Sequence, residues 1–172
     1  MLHVSHVATP YGIIIIGEEN EKLNFCLWDK AKNNEKIIRR QLQNGKIELQ
    51  ETENHIIRNT KKQLIEYFSG ERKVFDLFLN FAHLSPFSTK VLETLQQIPF
   101  SNTISYQQLA VLSGNEKAVR AVANVVANNP FHIIIPCHRV LPATLKIGNY
   151  AVGSNLKQTL LLHEKQCLKE NG

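Results

Sequence analysis

The run SYQQLAVLSGNEKAVRAVANVVANNP, Ser105 to Pro130, decides the fold. Ser105 with Gln108 three residues on is a capping box, so a helix begins there and stops near Gly114. Asn115 is suited to open a second helix, which must end before Pro130. Only Ser113-Gly114-Asn115 separates the two, which is helix-turn-helix spacing. The middle of the second helix, Ala118 to Ala127, is mostly Ala and Val with one charge, Arg120. Such a composition ordinarily belongs to a core helix. The functional alternative is a helix kept slim enough to lie against a nucleic-acid groove, with Arg120 directed at the base stack.

Downstream lies IIIPCHRV, Ile133 to Val140. Its β-branched run reads as a buried strand ending at Pro136, after which Cys137, His138 and Arg139 follow without a spacer. A thiolate is a strong nucleophile, and a free thiol has a pKa of about 8.5. A neighbouring base takes the proton, and a carboxylate behind the base holds its tautomer. Adjacent side chains diverge on a regular backbone, so a water is expected between Cys137 and His138. The best carboxylate is Glu164, in the apolar-faced helix LLLHEKQ that closes the chain. Cys26 and Cys167 are expected in the core or on the surface.

Upstream, Ser85 caps a helix whose first residue is Pro86. Residues 2–8, 12–17 and 23–28 read as strands, with Thr9 to Gly12, TPYG, turning between the first two. HIIRNTKKQLIEYFSG places Ile56, Leu64, Tyr67 and Phe68 near one helical face and ends at Gly70. Residues 72–84 read as an extended link. The expected fold is α/β (α+β). A small sheet-plus-helix supporting domain spans 1–82, and a mostly helical domain spans 85–172.

The 172 residues carry a formal net charge of +5. Residues 1–85 hold 12 Lys and Arg against 11 Asp and Glu, whereas residues 86–172 hold 8 against 4. A basic second half favours an anionic partner. Three cysteines, without CxxC pairing or zinc-finger spacing, predict no disulfide framework, no structural metal and no cofactor. MLHVSHVATPYG lacks the regions of a signal peptide, and GIIIIG is too short to span a bilayer. A cytoplasmic monomer without a membrane partner is expected.

IIIPCHRV resembles the active-site signature of the O6-alkylguanine-DNA alkyltransferases. ISYQQLA, AVRAV, NNP, GNY and LLLHE follow in that family's order and at nearly its spacing, and ATPYG, QLIEYFSGER and FDLFL resemble its N-terminal part. The resemblance implies a protein that binds duplex DNA carrying O6-alkylguanine and moves the alkyl group to Cys137. His138 would take the thiol proton through a water, Glu164 would orient His138, and Asn129 would be the hinge before the active-site strand. Tyr106 would donate to N3 of the flipped guanine. Backbone groups near Cys137 and Val140 would bind the exocyclic amine, and Tyr150 and Ala151 would face the O6 end. Arg120 would fill the vacated stack, while Gln107, Asn115 and Ser88 would touch phosphates. The residues by themselves leave open a thiol hydrolase of Cys-His-Glu type. A lesion-binding protein that does not repair would have replaced the cysteine.

The chain departs from the family pattern in several places. LPATLKIGN lacks the turn glycine common there in the family, ANNP lacks an Arg or Gly before Asn129, and the N-terminal part has no zinc ligand set. After Tyr150 stands Ala151-Val152-Gly153, where a Gly-Gly or small-Gly run is usual. Val152 adds two methyls at the pocket mouth and stiffens the backbone. Transfer from benzylated guanine should therefore be slower than from methylated guanine. Equal single-turnover rates on the two oligonucleotides would contradict this.

Overall fold

The computed structural model describes residues 1–42, 50–144 and 146–170. The expected loop at Leu145 and the end of the second domain at 171–172 lie outside these residues. The chain divides into two compact units, Met1–His83 and Leu84–Gly172.

In the first unit, β1 (His3–Thr9), β2 (Gly12–Glu19) and β3 (Lys22–Trp28) form an antiparallel meander. A short β4 (Gln50–Glu51) lies parallel to β1, giving the order β3-β2-β1-β4. The TPYG turn closes because Thr9 Oγ1 donates to the Gly12 carbonyl at 2.7 Å and accepts from the Tyr11 amide at 3.1 Å. Two helices follow in sequence, one packed on β3 and the other on β1 and β2. The short α1 (Asn34–Gln41) was not anticipated, because Asn33 makes no side-chain cap bond. Tertiary packing holds it, with Ile37 in a cluster with Leu2, Val4, Phe25 and Leu27. The longer α2 (His55–Phe68) is capped by Asn54, whose side chain accepts from the Ile57 amide at 2.9 Å, and ends before Gly70 at φ +84°. Its buried face is Ile57, Leu64 and Tyr67, while Ile56 and Phe68 are half-buried.

Residues 72–84 carry no helix, as expected of an extended link, and the link is anchored to the first unit. The Gln63 carboxamide donates to the Asp76 carbonyl and accepts from the Asp76 amide, both at 2.9 Å. The Leu23 amide donates to Phe78 O at 2.8 Å, and the Asn80 amide donates to Leu23 O at 2.7 Å. The open edge of β3 and one buried amide thus satisfy this backbone and bind it to the first unit.

In the second unit, α3 (Pro86–Gln96) starts on the Ser85 cap, and α4 (Tyr106–Leu112) starts on the complete Ser105–Gln108 capping box. The next helix, α5 (Val119–Ala127), begins later than Asn115. Asn115 donates its amide to the Ser113 carbonyl at 3.0 Å and accepts from the Ala118 amide at 2.9 Å, so residues 115–118 are a turn. Nor do Ile133–Ile135 form a strand. They are buried turns, and Val140–Leu141 (β6) beyond them pairs in parallel with Ile104–Ser105 (β5). The chain ends in α6 (Ser154–Glu170).

The sheet has one tight point. A Cβ at Gly17 would lie 2.4 Å from the buried Phe25 ring on the adjacent strand. Gly17→Ala should lower stability by about 1–3 kcal/mol through overpacking, read as a lower urea midpoint with an unchanged slope.

Candidate active site

The site is built by one side chain that replaces a strand's hydrogen bonds. Asn129, fully buried, donates to the Ile135 carbonyl at 2.9 Å and accepts from the Phe131 amide at 2.9 Å. Local bonds complete the turn, including Ile135 N to Phe131 O at 2.9 Å and Cys137 N to Ile135 O at 2.8 Å. Ile133 takes a left-handed φ of +70°, which is costly for a β-branched residue and persists only where the surroundings dictate it. Cys137–Arg139 then form a single 3-10 turn leading into β6. The pairing of Ile104 with Val140 sets Tyr106, the first residue of α4, beside this turn.

Behind the turn sits a carboxylate with no exposed surface. Glu164 Oε2 lies 2.7 Å from His138 Nε2, and Oε1 accepts from Arg139 Nε at 2.6 Å and from the Ser101 amide at 3.2 Å. Arg139 also donates to the Ile98 carbonyl at 2.7 Å and stacks over Phe100. Burial opposes ionisation of Glu164, but the hydrogen bonds from His138 and Arg139 and the positive charge of Arg139 win and hold its pKa at about 2. Burial lowers the pKa of His138 more than Glu164 raises it, so the imidazole is neutral. A neutral ring facing a carboxylate carries its proton on that nitrogen. Nε2–H donates to Glu164, and Nδ1 keeps the lone pair. Nδ1 is buried and has no hydrogen-bond partner among the described residues. Cys137 is buried, which pushes its thiol up, while Asn129 and the charge of Lys157 pull it down. The arrangement is a protonated nucleophile beside a neutral base whose tautomer is fixed from behind.

Two family models match the chain. The 6-O-methylguanine DNA methyltransferase ribonuclease-like domain covers residues 2–81, and the DNA-binding domain of the same name covers residues 86–166. The constitutive methylated-DNA–protein-cysteine methyltransferase of Bacillus subtilis is 34% identical over 99% of both chains. The Methanosarcina acetivorans protein of that name is 33% identical over 92% of this chain and 96% of its own.

The chain belongs to the methylated-DNA–protein-cysteine methyltransferase family. Its fold agrees with that of Mycobacterium tuberculosis OGT crystallised in complex with DNA. The TM-score is 0.83 at 28% identity, covering 96% of this chain and 94% of the other.

Within this family member, the residues singled out from sequence fall into groups. Cys137, Asn129, His138 and Glu164 converge on one buried site, with Tyr106 coupled electrostatically to Cys137. Val140 is in β6, and Tyr150 lies 6.2 Å from the His132 ring, centroid to centroid. Ala151 is half-buried. Arg120 and Gln107 are exposed, Asn115 is engaged in its turn, and Ser88 bonds to Ser85 at the start of α3. Cys26 and Cys167 are both buried. Sequence reasoning missed Arg139 as the cation paired with Glu164, although it stands in the quoted motif.

Glu164→Gln should cost about 3–5 kcal/mol, because it strands the buried Arg139 charge. The sign follows from a pKa lowered from 4.5 to about 2 on folding. The carboxylate's contribution is complete above about pH 4.5 and fades as pH falls toward 2. In urea titrations the gap between wild type and variant should be widest at neutral pH and close with acid.

Proposed function

We propose that this protein repairs duplex DNA by taking a methyl or other alkyl group from O6 of guanine, and less well from O4 of thymine, onto Cys137. The observation that carries the reading is the neutral His138, tied through Nε2 to an ionised Glu164, with Nδ1 left as the base beside a buried thiol. Membership of a family whose characterised members bear the name of this transfer supports it.

In the step proposed, the thiol proton passes through a water to His138 Nδ1, and the sulfur attacks the alkyl carbon. The S–C bond forms as the C–O6 bond breaks, and the bonding pair stays on the purine. The Tyr106 hydroxyl stabilises that developing charge at N3. Burial raises the Tyr106 pKa, which keeps the phenol a donor. In sum the alkyl group moves to sulfur and the thiol proton moves to guanine. Water does not cleave a thioether, so each molecule acts once.

Access to the base is proposed through the minor groove. The outward face of α5 is Arg120, Ala121, Asn124 and Ala127, while Val122, Val125 and Val126 pack inward. A groove about 6 Å wide admits only such small side chains. Arg120 would occupy the space of the extruded nucleotide, and flipping would cost a few kcal/mol. Gln107, Asn115 and Ser88 are assigned to phosphates, and Val140, Tyr150 and Ala151 to the extruded base. The DNA complex of the Mycobacterium tuberculosis relative supports DNA as the partner.

Incubation with an O6-methylguanine duplex should add the mass of one methyl to the Cys137 peptide, in a burst that stops at one equivalent. Cys137→Ala should leave the lesion in place. Continued product release, or clearance by the alanine variant, would refute the reading.

A further inference from the structure

Between α3 and β5 the chain makes one tight turn. The Asn102 amide donates to the Pro99 carbonyl at 3.0 Å, and Ser101, third in the turn, takes a left-handed φ of +67°. Glycine fills such a place at no steric cost, yet here the residue is a serine. Backbone strain of this kind persists where the fold over-determines it. The contacts of the turn lead to the catalytic groups. The Ser101 amide donates to Glu164 Oε1 at 3.2 Å. The residues before it hold Arg139. The Ile98 carbonyl accepts from the guanidinium at 2.7 Å, and the centre of the Phe100 ring lies 5.6 Å from its central carbon. Beyond the turn, Ile104 pairs with Val140, the residue that follows the 3-10 turn of Cys137–Arg139.

The two oxygens of Glu164 are served differently. His138 Nε2 lies 2.7 Å from Oε2. Arg139 Nε reaches both oxygens, at 2.6 Å from Oε1 and 3.3 Å from Oε2. A donor that reaches both oxygens leaves the carboxylate free to pivot between them. The Ser101 amide bonds to Oε1 and takes that freedom away.

We infer that Ser101 is a positioning residue for the alkyl transfer, its backbone amide pinning Oε1 of Glu164 so that Oε2 stays in line with the Nε2–H of His138. Ser101 acts through Glu164 and His138 and donates from its backbone, so the left-handed φ that aims the N–H is what the site requires of it. With the carboxylate fixed, the imidazole keeps its tautomer and Nδ1 keeps its direction.

The inference rests on the reading of His138 as the base for Cys137, but its first readout uses no DNA. The proton on His138 Nε2, followed by NMR in ¹⁵N-labelled protein, reads the strength of the bond to Glu164. Ser101→Val puts a β-branched residue where φ must be positive, which drives the turn out of the left-handed region and withdraws the amide. An ester in place of the Phe100–Ser101 peptide bond removes the N–H alone and leaves every side chain unchanged. In both proteins the Nε2–H resonance should move upfield. Single-turnover methyl transfer from an O6-methylguanine duplex should be about tenfold slower, a part of what a positioned base supplies. Ser101→Gly keeps the amide and suits the positive φ, so it should hold the resonance at its wild-type position. An unmoved resonance in either folded variant overturns the inference, as does an equal shift in Ser101→Gly. Should Ser101→Val not fold, the ester protein decides. If the wild type moves no methyl to Cys137 while the resonance shifts as expected, the repair reading falls and the role of Ser101 stands. If transfer proceeds and the resonance does not shift, only the role of Ser101 falls.

Discussion

A carboxylate without solvent exposure must be matched, and Glu164 accepts from the Ser101 amide, His138 and Arg139, which come from two separate segments of the second unit. The Ser101 amide comes from the turn after α3, His138 and Arg139 from the 3-10 turn, and the carboxylate itself from α6. Ser101 adopts a left-handed φ of +67° to present its amide. The same charge that joins these segments also fixes the imidazole tautomer. Fold and chemistry therefore share one group, and no substitution at Glu164 perturbs one alone. A neutral isostere keeps the shape of the side chain but loses the charge that matches Arg139.

What was legible in the sequence was mostly local. The Ser105–Gln108 box, the Ser85-Pro86 start of α3, the TPYG turn and the end of α2 before Gly70 are each written in residues a few positions apart, and the structure has each of them. The grouping of Cys137, His138 and Glu164 was also legible, because a thiol and an imidazole side by side after an apolar run stand out, and so does a carboxylate after an apolar helical stretch. The readings that failed did so for nonlocal reasons. Ile133–Ile135 look like a strand because β-branched apolar residues suit any buried extended backbone. Nothing in those residues reveals that Asn129 takes the hydrogen bonds a partner strand would have taken. Asn115 looks like a cap, yet its side chain serves the preceding turn. Residues 72–84 are extended as expected, and only their anchoring to Gln63 and the edge of β3 was hidden.

Arg139 and Lys157 show the other limit. A charged residue in an apolar context is easy to notice, but its role depends on which partner, distant in sequence, is already occupied. Arg139 pairs with Glu164 while Lys157 donates to the Asn149 carbonyl, and only the folded arrangement reveals that division.

The spacing of α6 has a further consequence. Lys157 and Glu164 stand seven residues apart, close to two full turns and about 10 Å along the axis. The helix works as a ruler, delivering one cation and one anion to two adjoining places at once. Its outer face is open to wide drift in composition, but its length between these positions is not. A single inserted or deleted residue would swing one of the two charges by about 100° away from its destination, an indel intolerance that no surface comparison of α6 would suggest.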